Sequence, residues 1–254
     1  MFTYIETKHG KIALSFEYTN IIIKMSGGLD SSTLLFCLCD YLEKNNLKEH
    51  RIIPVTVSKV GNKQKDPMFD KRDLFPVVSN VIDYAKEKYN NVCIETPNFY
   101  SIYNWWKKDN SYVKAQDDAV LDIIEEYGCL DDHILYNGIT KNPDHDVSRF
   151  EPNPERHRQK KANDCVKNTV SKFSVWDKSL VRELQPFRNS DKRIVFSLAD
   201  KLGVRENLES IAVSCEGNRR ATNNFRKLCT DVALNDEHCW WCLERQWAKE
   251  NYDR

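Results

Sequence analysis

The residues best suited to chemistry lie in one short stretch: Ser26, Gly27, Gly28, Leu29, Asp30, Ser31 and Ser32. The stretch follows an apolar run at 21–25 and precedes a helix-like run at 33–38. This order places a small-residue loop between the end of a strand and the first turn of a helix. Backbone N–H groups and the positive end of the helix dipole can then approach an anion. The stretch therefore predicts a phosphate site, with the serine hydroxyls as further donors.

Asp30 is unusual in this loop because it is an anion where a phosphate is expected. A carboxylate fits there when a cation separates it from the phosphate, so we predict a bound Mg²⁺. The loop is not a Walker A sequence, since no Gly-Lys-Ser/Thr closes it. The alternative is an ordinary strand-to-helix turn with glycine at positive φ and Asp or Ser as the N-cap.

The loop at 26–32 resembles the PP-loop of the ATP pyrophosphatases, also called adenine nucleotide alpha hydrolases. Enzymes of that family cleave ATP to AMP and pyrophosphate. The resemblance implies ATP and Mg²⁺ as ligands of the whole loop, and Asp30 and Ser31 as catalytic residues. It also implies that a substrate oxygen is adenylated before a nucleophile attacks.

The elements around the loop alternate between strand and helix patterns. Apolar runs predict strands at 20–25, 51–57, 92–96, 133–138 and 180–187, and helical spacing of apolar residues predicts helices at 30–45, 70–89, 115–127 and 192–202. This rhythm predicts an α/β fold with a doubly wound, mainly parallel, Rossmann-like sheet, as in the adenine nucleotide alpha hydrolases. Residues 1–19 predict a hairpin ahead of it.

Two segments of this pattern are irregular. Pro54 interrupts the second predicted strand, which indicates an irregular or edge position. The aromatic-rich segment 100–106 is interpreted as a hydrophobic connector, with a base-stacking pocket as the alternative.

Gly138 ends the predicted strand at 133–138. A glycine at the carboxyl end of a parallel strand lies on the sheet edge where open α/β folds bind ligands. In related PP-loop enzymes a glycine-bearing loop at this place packs near the adenosine, so the resemblance implies that Gly138 also binds ATP. A simple turn glycine is the alternative.

A basic cluster at 156–161 lies within a region, 141–172, that has little periodicity. Such a run is typical of a solvated surface. A lid that closes over ATP and a contact with RNA phosphates are the two functional alternatives.

Thiols near the end of the chain have the spacing of a metal site. A Cys-x-x-Cys pair at a helix start is a common half of a tetrahedral zinc site, and two further thiolates complete it. The predicted zinc ligands are Cys215, Cys229, Cys239 and Cys242. Asp236 or His238 could replace Cys229, and buried thiols or a redox-active pair are the alternatives to zinc. We therefore predict a domain at 1–210 and a small C-terminal zinc-binding element at 211–254.

The C-terminal part is similar to the 7-cyano-7-deazaguanine synthase branch of the PP-loop family. The similarity rests on a strand ending in Pro186-Phe187, a helix ending in Leu202-Gly203-Val204, and the late cysteines. The chain departs from that branch at 57–63, which lacks a Tyr-Gly-Gln-Arg-His-like stretch, and in the nine residues between Cys229 and Cys239, where the branch has two.

This similarity implies a ligase that replaces a substrate oxygen with nitrogen, with a carboxylated deazapurine and ammonia as partners. A PP-loop amide ligase, a tRNA-modifying enzyme and a non-catalytic nucleotide-binding protein are the alternatives.

Composition limits the remaining classes. Lys plus Arg equals Asp plus Glu at 38 each, so no global basic field favours nucleic acid, although tRNA is not excluded. The chain shows no signal peptide or membrane-length apolar run, and its nine cysteines do not resemble a secreted disulfide framework. These features predict a soluble, cytoplasmic protein and leave a homodimer open.

Overall fold

The structure is a computed structural model that describes residues 2–60, 74–103, 112–141, 143, 171–175, 179–213 and 240–254. The elements within these ranges are, in chain order, β1 (Phe2–Thr7), β2 (Gly10–Ser15), β3 (Asn20–Lys24), α1 (Leu29–Lys44), β4 (Arg51–Val60), α2 (Leu74–Lys88), β5 (Cys93–Ile94), β6 (Asn98–Tyr103), α3 (Tyr112–Glu126), β7 (His133–Asn137), β8 (Ser171–Val175), β9 (Ser179–Leu184), α4 (Lys192–Lys201), α5 (Arg205–Ile211) and α6 (Trp240–Asn251).

The described strands form two sheets. The larger one has the order β5-β4-β3-β7-β9-β8, with β6 pairing with β4 as well. Its pairings are parallel except for the antiparallel pair of β8 and β9. The hairpin of β1 and β2 forms a separate two-stranded sheet. The mainly parallel α/β fold and the N-terminal hairpin are confirmed.

Alternating side chains of the central strands face two layers of helices. In β3, Ile21 and Ile23 belong to the core shared with α1, α2, α4, α5 and α6, whereas Ile22 belongs to the core shared with α3. The neighbouring strand β7 repeats this division, with Tyr136 on the first side and Leu135 on the second. Strands buried on both faces read as continuous apolar runs, which is why the sequence reveals them clearly. The sheet is doubly wound, as predicted.

Pro54 lies inside the sheet at an irregular position, so of the two expectations the irregular one is confirmed and the edge one is wrong. It pairs with Ile23 of β3 on one side. On the other side, β5 pairs with β4 only as far as Ile52, and β6 begins to pair at Val55. Pro54 therefore lies opposite the break between two short partner strands, where a missing N–H donor removes little from the ladder.

Two strands depart from the sequence-based expectation. Part of the aromatic segment is strand β6, which extends the sheet along β4, whereas its residues 104–106 lie outside the described residues. A further strand, β8, falls within and just beyond the region of little periodicity and pairs with β9. Aromatic and β-branched residues suit a pleated edge, but neither segment shows the apolar/polar alternation that marks a strand.

The C-terminal helix α6 packs against the same core as α1. Trp247 and Ala248 of α6 are buried in the core cluster that also holds residues of α1 and α4, and α6 itself packs on α4. The division of the chain near residue 210 stays a prediction. Among the helices that the structure describes, none combines the length and apolar character needed to cross a membrane.

A buried tyrosine joins the hairpin to the sheet, and it yields a test of the fold. The Tyr136 hydroxyl donates to the carbonyl of Ser15 at 2.8 Å and accepts from the Ser15 N–H at 2.7 Å. We expect Tyr136→Phe to lower the free energy of unfolding by about 1–3 kcal/mol, because both backbone groups would remain buried without a partner. Urea denaturation measures the change. Tyr127→Phe, at a partly exposed site, is the control and should change it by less than about 0.5 kcal/mol; equal losses would contradict the assignment.

Candidate active site

The predicted phosphate loop leaves β3 and enters α1 at the carboxyl edge of the parallel sheet. Gly27 has a φ of 68°, and a Cβ there would lie 3.0 Å from Val77 Cγ1, so the position requires glycine. Gly28 is the N-cap of α1 and provides no side-chain cap. The first N–H groups of a helix have no partner within the helix, so the positive end of α1 faces the loop.

The three serines of the loop have different environments. The Ser31 and Ser32 hydroxyls are buried and donate to the Gly28 carbonyl at 3.2 and 2.9 Å. Ser26 is exposed, and its N–H donates to Ser31 Oγ at 3.2 Å. Ser31 and Ser32 thus brace the turn, and Ser26 is the serine of this loop best placed to meet a ligand from solvent. The catalytic role of Ser31 stays a prediction.

Gly138 lies directly against the start of α1. A Cβ at this position would be 3.1 Å from the carbonyl carbon of Asp30 and from N and Cα of Ser31. Real Cβ atoms seldom approach backbone this closely, so only glycine allows the two segments to meet without displacement. The structure therefore brings Gly138 to the loop, next to Asp30 and Ser31, as its strand-end position predicts.

The Asp30 carboxylate is held by two neighbours. Lys192 Nζ lies 2.9 Å from Oδ1, and the Thr140 hydroxyl donates to Oδ2 at 3.1 Å. The cation at Asp30 is thus a lysine ammonium, and this carboxylate does not fit the predicted role of an open Mg²⁺ ligand. Within the described ranges, no group of three or more His, Cys, Asp or Glu side chains could hold a metal ion.

Lys192 was not among the site residues that the sequence suggests. It is the first residue of α4, and its side chain is only 4% exposed. A positive charge at a helix N-terminus opposes the helix dipole, so it requires a local counter-charge. Asp191, the N-cap of α4, does not supply this counter-charge to Lys192. Its carboxylate accepts from the N–H of Arg193 at 3.0 Å. A lysine at a helix start, after a strand that ends on the ligand edge, was the available signal.

Glu244 of α6 supplies a second carboxylate to the same ammonium. Its side chain is 1% exposed, and one carboxylate oxygen lies 3.6 Å from Lys192 Nζ. Burial raises the pKa of Glu244 to about 7, although Lys192 opposes the shift. Burial alone would lower the pKa of Lys192, but the carboxylates of Asp30 and Glu244 outweigh it and raise that pKa above its usual value. The cluster of Asp30, Lys192 and Glu244 therefore joins the loop at 26–32 to α4 and α6.

Of the four predicted zinc ligands, only Cys242 lies within the described residues, and its role as a ligand stays a prediction. Cys242 lies in the first turn of α6 and is partly exposed. The other three predicted ligands, their alternatives Asp236 and His238, and the basic cluster at 156–161 lie outside the described residues.

Comparisons with known proteins give similarity to solved structures alone. No protein-family model matches the chain, and no curated protein matches it. The chain is similar to the U34-tRNA thiolase NcsA from Methanococcus maripaludis with its [4Fe-4S] cluster, at 11% identity and a TM-score of 0.42, over 93% of this chain and 66% of that one. It is also similar to NMN synthetase from Francisella tularensis, at 14% identity and a TM-score of 0.34, over 78% and 68% of the two chains. It thus spans about two thirds of the length of each.

The contact at Gly138 yields a second prediction. We expect Gly138→Ala to weaken ATP binding at least about tenfold and to lower the free energy of unfolding by about 1–3 kcal/mol, because the new methyl group would push the backbone of Asp30 and Ser31 aside. Calorimetric titration with ATP and urea denaturation measure the two effects.

Gly128→Ala is the control for this substitution. Gly128 has a φ of 59°, but a Cβ there would meet no atom within 4 Å. That variant should lose about 1 kcal/mol of stability from backbone strain and bind ATP normally. An unchanged ATP affinity in Gly138→Ala would contradict the predicted role of Gly138 in ATP binding.

Proposed function

We propose that the protein is an enzyme that converts ATP to AMP and pyrophosphate while activating a substrate oxygen as an adenylate. The observation that carries the proposal is the edge formed by the loop at 26–32 and Gly138. This edge offers an anion site made of glycine backbone and the N-terminus of α1, against which Gly138 packs closely. The site lacks the lysine of a Walker A loop. Such an edge suits the triphosphate of a nucleotide.

The charges of the site support cleavage that releases pyrophosphate. Backbone N–H groups at the start of α1 would hold the departing pyrophosphate and stabilise its growing charge. The Lys192 ammonium balances the Asp30 carboxylate at 2.9 Å, so this acid does not simply repel the phosphates. ATP would arrive as Mg-ATP, with its Mg²⁺ as part of the substrate.

The atom balance defines the rest of the reaction. A substrate carboxylate oxygen attacks the α-phosphorus and expels pyrophosphate. Ammonia then attacks the carboxyl carbon, forms a C–N bond, and expels AMP together with the original oxygen, which leaves an amide. Conversion of that amide to a nitrile removes the second oxygen by another adenylation, so a nitrile product would require two molecules of ATP.

We propose a 7-carboxy-7-deazapurine as the substrate and 7-cyano-7-deazaguanine as the product. The proposal rests on the resemblance in the loop at 26–32 and in the C-terminal pattern of Pro186-Phe187, Leu202-Gly203-Val204 and the late cysteines. An amide ligase or a tRNA-modifying enzyme that uses the same loop is the competing proposal. It is favoured by the departure of 57–63 from the deazaguanine synthase pattern.

Nucleotide analysis tests the reaction. The protein is incubated with Mg-ATP, ammonium and 7-carboxy-7-deazaguanine, and AMP, pyrophosphate and the modified base are quantified by chromatography. We expect AMP and pyrophosphate in equal amounts, only in the presence of the carboxylate, with two AMP per nitrile. AMP that depends on tRNA instead would support the tRNA-modifying alternative, and ATP binding without any AMP would support a nucleotide-binding protein.

Asp30→Ala tests the role of the loop. We expect AMP formation to fall at least about a hundredfold, because the substitution removes the partner of Lys192 and disturbs the phosphate site. Asp40→Ala is the matched control: Asp40 lies on the same helix and forms an ion pair with Lys44 at 2.8 Å. Circular dichroism would verify that both variants fold. Turnover that survives Asp30→Ala would contradict the assigned role.

We also propose a structural zinc bound by Cys215, Cys229, Cys239 and Cys242. The thiolate set suits zinc, and Cys242 is accessible at the start of a helix that packs on the core. Zinc would supply no chemistry to the reaction and would stabilise the fold. We expect one zinc per chain by elemental analysis and its loss in Cys239→Ser, with Cys93→Ser, an exposed thiol, as the control. A folded protein without zinc would contradict the site.

A further inference from the structure

Glu244 is a buried acid that packing does not explain. Its side chain is 1% exposed, and neither carboxylate oxygen has a hydrogen bond within the described part of the chain. An ionised carboxylate in such a place is costly unless a cation compensates it. The neighbouring positions Trp247 and Ala248 show that α6 packs on the core through apolar residues. Another role must keep the acid there.

Lys192 explains the position of Glu244. The ammonium lies between two carboxylates, 2.9 Å from Asp30 and 3.6 Å from Glu244. One positive charge faces two negative ones, so the cluster carries a net charge of about −1 when both acids are ionised. Among the described residues, Asp191 and Arg245 are further charged groups that act on this cluster. The second acid is more than Lys192 needs for neutrality.

Arg245, the residue after Glu244, is linked indirectly to the start of the loop at Gly27. Arg245 donates to the carbonyls of Ala212 at 3.0 Å and Glu209 at 2.8 Å, at the end of α5. The next residue, Val213, donates its N–H to the Gly27 carbonyl at 2.8 Å. Glu244 is thus linked to Asp30 through Lys192 of α4. Arg245 is linked to Gly27 through the end of α5.

We propose that Glu244 is a positioning residue through which α6 holds the Lys192 ammonium against Asp30 and limits the affinity of the loop at 26–32 for phosphate. The effect on phosphate rests on the proposed function, whereas the link from Glu244 to Lys192 does not. The Glu244 carboxylate acts in two ways. It fixes the orientation of Lys192, and its negative charge opposes the binding and retention of pyrophosphate.

Removal of the charge at constant shape separates these effects from packing. In Glu244→Gln, Lys192 keeps a single carboxylate partner, and the potential at the loop becomes more positive. We expect pyrophosphate, titrated calorimetrically at pH 8, to bind about three- to tenfold more tightly. We also expect kcat for AMP formation to fall at least about tenfold without a rise in KM for ATP, because Lys192 is less well oriented.

Glu250→Gln is the matched control, since Glu250 lies exposed on the same helix. It should leave pyrophosphate affinity, kcat and KM within about twofold of the parent values. If Glu244→Gln fails to fold, Glu244→Leu replaces it, because an apolar side chain of similar volume is often tolerated at a buried ionic site. Weaker or unchanged pyrophosphate binding in a folded variant would overturn the proposal and leave Glu244 with a structural role.

A double-mutant cycle keeps the link testable if the parent protein binds neither pyrophosphate nor ATP. That result would refute the proposed function, and the cycle then combines Glu244→Gln with Lys192→Met and compares urea midpoints. We expect Glu244→Gln to raise the midpoint clearly more in the Lys192→Met background than in the parent, because the acid then has no cation beside it. Equal shifts in the two backgrounds would overturn the link.

Discussion

The ion pair between Lys192 and Asp30 connects the first βα unit of the sheet, β3 and α1, with helix α4. Its two residues are 162 positions apart in the chain. The pair is nearly inaccessible on the lysine side, with 4% of that side chain exposed, so water screens it little. A charged contact of this kind tolerates small displacement poorly, because the buried Lys192 ammonium would then lose its nearest carboxylate. The position of the loop thus depends on α4.

Parallel strand order explains why distant residues meet at this pair. The strands β3, β7 and β9 are neighbours, and their carboxyl ends share one edge. Asp30 follows β3, Thr140 and Gly138 follow β7, and Lys192 follows β9. Each of these three strands ends at the same edge, so the segments that follow them each contribute a contact to a common site. The carbonyl of Ser190 also accepts from the N–H of Lys141 at 3.0 Å, which joins the last two segments.

The sequence predicts the parts of this arrangement that depend on short stretches of neighbouring residues. Continuous apolar runs identify β3 and β7, and the small residues at 26–32 identify the loop between β3 and α1. Gly138 could be placed at the loop because strand order, once assumed parallel, defines the edge on which it lies. The inner position of Pro54 could not be foreseen, since it depends on a break between β5 and β6 that only tertiary pairing creates.

Lys192 and Glu244 could not be paired from the sequence for a different reason. Both lie on amphipathic helices whose charged residues are usually solvated, so a local pattern assigns them to the surface. Their burial follows from the way α4 packs on α1 and α6 packs on α4. A buried charge is recognisable only when its partners are known. Glu244 is a buried acid to which the described residues offer no hydrogen bond, and this opposes stability, whereas the apolar residues around it favour stability. Glu244 is linked to the glycine-rich loop through Lys192, and a position at which stability is reduced in this way is the ground for proposing that the charge acts on what the loop binds.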